Sequence, residues 1–221
     1  MKPDALFARG MALSNRLVRM GIRPIQGGPE TVEFFYSLIA NDPFDGILLE
    51  IGTGGMRSTI TLASILDELQ MPNEIQTYDI CDVMEKRGAS RQYSLYQNQS
   101  RIKVFRIDAK EIDMGNMPKV GFVLFDIHER ENAEWFVNEC LPCVPEGVWI
   151  AFHDVITEHP AIHSWPLEGV DYLVPECEVL AKHWADKGIK PFLLGPLLNR
   201  GQYHTSGTPS HAVWRNKHHN H

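Results

Sequence analysis

The sequence has little cysteine, a deficit of positive charge and no long apolar run. Its 21 lysines and arginines are outnumbered by 28 aspartates and glutamates, so the formal net charge is −7. Broad non-specific binding to nucleic acid is therefore disfavoured, because a surface that follows phosphates needs clustered cations. No apolar segment reaches the length of about 18 residues that spans a membrane, and the N-terminal segment lacks the apolar centre of a signal peptide. These absences predict a cytoplasmic protein with no membrane partner.

Four cysteines in 221 residues are too few for a secreted disulfide scaffold, and reduced thiols are expected. Cys140 and Cys143 have C-x-x-C spacing, but the surrounding pattern places them at the end of a helix. A thioredoxin-like redox pair instead begins a helix after a strand. No second C-x-x-C completes a structural zinc site, so the role of this pair stays open.

Apolar strand-like runs alternate with helical segments from residue 47 onward. Strands are predicted at 47–51, 74–79, 101–107, 120–125, 147–152, 190–198 and 211–215, and helices at 57–70, 83–97, 130–143 and 175–187. This alternation predicts a parallel sheet with helices on both faces, and the last two strands, with no long helix between them, suggest an antiparallel hairpin at one edge. Two further helices in residues 1–43 predict an N-terminal helical lid ahead of a ligand-binding domain at 44–221.

An apolar strand, an acidic residue, a glycine turn and a helix start follow one another in ILLEIGTGGMRSTITLA, residues 47–63. Gly52, Gly54 and Gly55 allow backbone angles that other residues resist, so a ligand can lie against bare main chain. Ser58 can supply a hydroxyl near the helix start, where exposed amide groups form a polar rim. This stretch predicts a cradle for a nucleotide-sized ligand.

Polar residues close each of the first five predicted strands. They are Glu50, Asp79, Asp108, Asp126 and the pair His153-Asp154. In an open parallel sheet the ligand binds beyond the carboxyl ends of the strands, so these residues are expected at one rim. A single aspartate in such a place could be only a turn former, but five strands that each deliver a polar group favour a ligand site.

The spacing Glu50-x-Gly52-x-Gly54 resembles motif I, acidic-x-Gly-x-Gly-x-Gly, of the class I S-adenosylmethionine-dependent methyltransferases, with Met56 in place of the third glycine. The resemblance implies a doubly wound, mostly parallel, seven-stranded Rossmann-like sheet and S-adenosylmethionine as cofactor. The dinucleotide pattern G-x-G-x-x-G would need glycine at position 57. Arg57 stands there, which disfavours an NAD-dependent oxidoreductase.

The resemblance also assigns roles to the strand-end residues. Asp79 matches the residue that accepts hydrogen bonds from the ribose hydroxyls, and Asp108 matches the one that approaches the adenine amino group. The methionine portion and the sugar edge would be contacted by Glu50, Gly52, Thr53, Gly54 and Gly55. Ser58 and Asp126 complete the predicted cofactor contacts.

The segments FVLFDIHER (122–130) and GVWIAFHDV (147–155) resemble small-molecule O-methyltransferases of the catechol, macrocin and cephalosporin-biosynthesis types, in which the ends of strands four and five hold a divalent metal. Asp126 and Asp154 match two ligand positions, and His153 stands where those families usually have an acidic residue. Mg²⁺ prefers oxygen ligands, whereas imidazole suits a transition metal better. Mg²⁺ or another divalent metal, held by Asp126, His153 and Asp154, is therefore an expectation.

The function expected from this resemblance is methylation of a hydroxyl on a small-molecule acceptor. Methyl transfer is an in-line displacement that depends mainly on alignment, and the acceptor must lose its proton. A metal bound by Asp126 and Asp154 would lower the pKa of the hydroxyl, or a histidine would act as general base, with His128 and His153 the candidates.

Several alternatives stay open. The chain could bind adenosyl ligands without catalysis, act as an NAD-dependent oxidoreductase, or share the hydroxylase activity attributed to some relatives of the cephalosporin group. The acceptor is not identified by the sequence. A homo-oligomer also remains open, because the N-terminal helices could close over their own site or pack against another subunit.

Overall fold

Seven strands form one sheet in the structure, a computed structural model that describes residues 3–25, 28–127, 129–153, 176–194 and 211–217. The strands are β1 Ile47–Ile51, β2 Ile75–Asp79, β3 Ile102–Arg106, β4 Val120–Phe125, β5 Trp149–His153, β6 Phe192–Leu194 and β7 His211–Arg215. Their order is β3-β2-β1-β4-β5-β7-β6. The first five are mutually parallel, and β7 runs antiparallel between β5 and β6. The prediction of a mostly parallel seven-stranded sheet is confirmed.

The helices are α1 Pro3–Arg19, α2 Pro29–Asn41, α3 Arg57–Glu68, α4 Arg87–Leu95, α5 Arg130–Trp135, α6 Leu141–Cys143 and α7 Glu176–Lys187. Short 3₁₀ turns cover Val83–Glu85, Gln99–Arg101, Ala109–Glu111 and Met114–Asn116. None of the helices in the described ranges is long and apolar enough to cross a membrane.

The predicted helix at 130–143 is interrupted by a π-helical turn, Phe136–Cys140, between α5 and α6. Pro142 lies two residues after the end of this turn. Proline has no backbone N–H and its ring clashes with the carbonyl four residues earlier, so a regular α-helix cannot run through it. Within the same segment Cys140 is a free thiol whose pKa is raised by burial, and Cys143 is a free exposed thiol.

Both faces of the central strands are buried. Leu48 and Phe122 join the apolar cluster under α1, α2 and α3, whereas the neighbouring residues Leu49 and Val123 join the cluster under α5 and α7. Successive side chains of a strand point to opposite faces, so a continuous apolar run serves two helical layers at once. This is the doubly wound arrangement that the alternation predicts.

The N-terminal helices belong to the first of these layers. Leu13, Leu17 and Phe35 are fully buried in the same cluster as Leu48, and the Phe35 ring lies 6.2 Å from that of Phe122. α1 and α2 thus pack on one face of the sheet. The action of segment 1–43 as a lid, and the boundary between residues 43 and 44, stay predictions.

Candidate active site

The turn after β1 has a backbone that requires glycine. Gly52 has a φ of 97°, and a side-chain carbon there would overlap the carbonyl oxygen of Asp126 at the end of β4. Met56, which occupies the third glycine position of the motif, also adopts the left-handed conformation, with a φ of 60°. A residue with a side chain is strained in this region. The structure therefore keeps the glycine-type backbone even where the sequence departs from the motif.

Asp79 links this turn to the end of β2. Its carboxylate accepts hydrogen bonds from the backbone N–H groups of Gly54, at 2.9 Å, and Cys81, at 2.8 Å. Asp108, after β3, accepts one from the N–H of Lys110, at 3.0 Å, and begins a 3₁₀ turn. Both aspartates lie at strand ends, as expected, and both also stabilise local turns.

Glu50 lies in β1, just before the glycine turn, and is fully buried. Its Oε2 accepts a hydrogen bond from the hydroxyl of Thr59 at 2.5 Å, while Oε1 has no hydrogen-bond partner among the described residues. Burial raises the pKa of Glu50 to about 7, against the lowering effect of the Ser58, Thr59 and Thr77 hydroxyls, and Asp126 raises it further. The bond to Thr59 thus ties the end of β1 to α3, and a direct contact of Glu50 with the cofactor stays a prediction.

Asp126 and His153 lie at the ends of the adjacent parallel strands β4 and β5. Their side chains are hydrogen-bonded, with 2.8 Å between His153 Nδ1 and Asp126 Oδ1. The His153 ring is buried, and only 23% of the Asp126 side chain is exposed. Two residues predicted at the rim are therefore brought into direct contact, in the arrangement by which a carboxylate orients a histidine.

His211, the first residue of β7, completes this group and is missing from the sequence-based site. Its ring centroid lies 4.6 Å from that of His153. The ring is fully buried, and neither nitrogen has a hydrogen-bond partner within the described ranges. Burial, and then the neighbouring His153, lower the pKa of His211 well below its ordinary value, so the ring is neutral. Because β7 is antiparallel, its first residue meets the carboxyl ends of the parallel strands.

A cavity of about 240 Å³ joins the histidine group to the glycine turn. Its lining consists of Ile25, Thr53, Gly55, Arg57, Ser58, Leu124, Asp126, His153 and His211. Five of the predicted site residues are thus brought together, while Glu50, Gly52, Gly54, Asp79 and Asp108 do not line the cavity. Arg57 and His211 were not predicted as site residues. The sequence predicted the strand that begins at His211 but not its place beside β5, so it gave no signal that His211 joins this group.

His128 and Asp154 lie outside the described residues, so the structure says nothing of these candidates for base and metal ligand. In the part of the chain that is described, no group of three or more histidine, cysteine or acidic residues could hold a metal ion. Asp126 and His153 are hydrogen-bonded to each other, and these two residues alone are too few to form a metal site. The metal site stays a prediction.

Comparisons with known proteins identify the fold. A cofactor-bound protein from MTB has 16% identity and a TM-score of 0.61, over 96% of this chain and 89% of that one. A Klebsiella pneumoniae protein described as an O-methyltransferase has 18% identity and a TM-score of 0.59, over 96% and 90%. A Streptococcus mutans protein described as a methyltransferase, in complex with SAH, has 8% identity and a TM-score of 0.55, over 84% and 97%.

No protein-family model matches the sequence, and no curated protein matches it. At these identities the structural likeness establishes the fold, which is that of the class I S-adenosylmethionine-dependent methyltransferases, as predicted.

Proposed function

We propose that the chain transfers a methyl group from S-adenosylmethionine to a hydroxyl of a small molecule. The observation that carries this proposal is the Asp126–His153 pair in a cavity shared with the glycine turn. A potential general base and a potential cofactor cradle thus face the same space. The solved structures of similar fold support the reaction class, since two of them are described as methyltransferases.

The cofactor would lie across the carboxyl ends of β1, β2 and β3. The carboxylates of Asp79 and Asp108 would receive its ribose hydroxyls and adenine amino group, because a carboxylate can accept several hydrogen bonds. Thr53 and Gly55 would lie under its methionine portion, where they line the cavity. When bound, the sulfonium supplies an electrophilic methyl group.

His153 would remove the proton of the acceptor hydroxyl. Imidazole is the side chain most often used as a general base at neutral pH. Asp126, at 2.8 Å, would stabilise the imidazolium that forms. His211 stays neutral beside it and would offer a hydrogen-bonding nitrogen to the acceptor, which accounts for a buried imidazole with no protein partner in the described ranges. Metal assistance through Asp126 and Asp154 is a separate expectation and enters none of these steps.

The test is calorimetric titration with S-adenosylmethionine, S-adenosylhomocysteine and NAD, each with and without Mg²⁺. Micromolar binding of both adenosyl ligands is expected, with no binding of NAD. Asp79→Ala should weaken S-adenosylhomocysteine binding at least about tenfold, because two charge-assisted hydrogen bonds are lost. An effect of Mg²⁺ on affinity would support the metal expectation.

Asp82→Ala is the matched control. Asp82 lies three residues further along the chain and likewise accepts a bond from a local backbone N–H, that of Met84 at 3.1 Å. Its removal should leave the affinity within about twofold. Preference for NAD, or equal losses in the two variants, would contradict the proposal.

A further inference from the structure

A second cavity, of about 290 Å³, adjoins the first and is lined by three arginines. Its lining residues are Gly21, Arg23, Gly55, Arg57, Gly88, Arg91 and Gln92. They come from the segment after α1, the glycine turn, the start of α3, and α4. None of these lining residues is acidic. Three arginines thus line one cavity in a chain whose formal net charge is −7.

The three arginines form no ion pair within the described part of the chain, unlike Arg101 and Arg130. Arg101 contacts Asp67 at 2.9 Å, and Arg130 contacts Glu178 at 2.8 Å. Like charges that face one cavity repel each other, and the repulsion is relieved when an anion binds between them. The arrangement therefore matches a site for an anionic group.

A hydrogen bond fixes two lining segments of this cavity, and two glycines leave space within it. Gln92 is buried, and its side-chain oxygen accepts a hydrogen bond from the backbone N–H of Arg23 at 2.8 Å. This bond attaches the segment after α1 to α4, and Arg23 and Arg91 from these two elements line the same cavity. Gly55 and Gly88 have no atoms within 4 Å of the point where a side chain would begin. A ligand group can therefore approach the backbone between the arginines.

Arg57 and Gly55 line both cavities, so the arginine cavity opens beside the space that contains His153 and Asp126. We propose that Arg23, Arg57 and Arg91 bind an anionic group, a phosphate or a carboxylate, of the methyl acceptor. This inference rests on the proposed function, because it assigns the acceptor as a small anionic molecule. Guanidinium groups suit both anions because they donate paired hydrogen bonds.

A small molecule fits the surface better than a nucleic acid. A strand of RNA or DNA is followed by an extended track of cations, whereas three arginines around one cavity match a single anionic group. The negative charge of the whole chain opposes a polyanion and acts less strongly on a small ligand held close to the guanidinium groups.

The experiment is titration of inorganic phosphate into the free protein and into its complex with S-adenosylhomocysteine. We expect phosphate to bind both forms, and Arg91→Gln to weaken it about tenfold by removal of a charge-assisted contact. Arg9→Gln is the matched control, because Arg9 is exposed on α1, outside the cavity, and its loss makes the same change in net charge. This control should leave phosphate affinity unchanged.

Other outcomes would overturn the proposal. Absence of phosphate binding, or equal weakening in the two variants, would remove the anion site. If phosphate and S-adenosylhomocysteine compete, and Arg91→Gln weakens S-adenosylhomocysteine but not 5′-methylthioadenosine, the site holds the cofactor's own carboxylate. Binding of a single-stranded RNA oligonucleotide that Arg91→Gln abolishes would assign the site to nucleic acid.

Failure of the proposed function would look different. Suppose that Arg91→Gln weakens phosphate binding but the protein binds no adenosyl ligand. This result would support the anion site and contradict the proposed methyl transfer.

Discussion

At the scale of single residues, Gly52 is the position where backbone geometry and the candidate site are most tightly linked. We expect Gly52→Ala to lower the free energy of unfolding by about 3 kcal/mol, because the residue has a positive φ and a side-chain carbon would overlap the carbonyl of Asp126. Chemical denaturation measures the change.

Gly55→Ala is the control in the same turn. No atom lies within 4 Å of its added carbon, and its φ is not positive. Its effect on the unfolding free energy should stay within about 0.5 kcal/mol. Equal losses in the two variants would show that the turn does not require glycine at position 52.

Glu50 makes stability depend on pH. Burial raises its pKa from 4.5 to about 7, so the folded protein holds this proton more tightly than the unfolded chain does. The contribution of Glu50 to the free energy of unfolding therefore falls as pH rises from about 4.5 to about 7, by about 3 kcal/mol in all. Glu50→Gln should remove this loss.

The measurement is the difference in unfolding free energy between Glu50→Gln and the parent protein at pH 5 and pH 8. Compared with the parent protein, the variant should be more stable at pH 8 than it is at pH 5. Glu111→Gln, at an exposed glutamate, is the control for the loss of a carboxylate. A difference for Glu50→Gln that does not change with pH would show that Glu50 keeps its ordinary pKa in the fold.

At the scale of elements, Asn216 joins the end of β7 to the helical segment before β5. Its side-chain amide donates to the carbonyls of Val144, at 2.7 Å, and Leu141, at 3.1 Å. Asn216→Ala would leave these carbonyls without that donor and should cost about 2 kcal/mol of unfolding free energy. Asn138→Ala, at an exposed asparagine of the π-helical turn, should cost less than about 0.5 kcal/mol. Similar denaturation midpoints for the two variants would contradict this role.

Most elements could be predicted from local patterns. β1 and β4 are continuous apolar runs that need burial on both faces, and the structure places them at the centre of the sheet. The division of 130–143 by a π-helical turn was not predicted, although Pro142 was its local signal. The strand predicted at 190–198 corresponds to β6, Phe192–Leu194; residues 195–198 lie outside the described part of the chain.

At the scale of the whole molecule, the insertion of β7 between β5 and β6 determines the candidate site. It places His211 beside His153, although the two residues are far apart along the chain. A local reading of the sequence finds the strand but not its position in the sheet. Arg23, Arg57 and Arg91 are brought together in the same way, by the packing of α1, α3 and α4 around the glycine turn.

The sequence alone determined the alternation of strands and helices, the glycine turn after β1 and the polar residues at the strand ends. These features depend on neighbours within a few residues, where periodicity and backbone preference act. Only the tertiary structure decided that Glu50 is fully buried, that Asp126 and His153 are hydrogen-bonded, and that His211 joins them. Such contacts depend on the packing of distant segments, which no local pattern encodes.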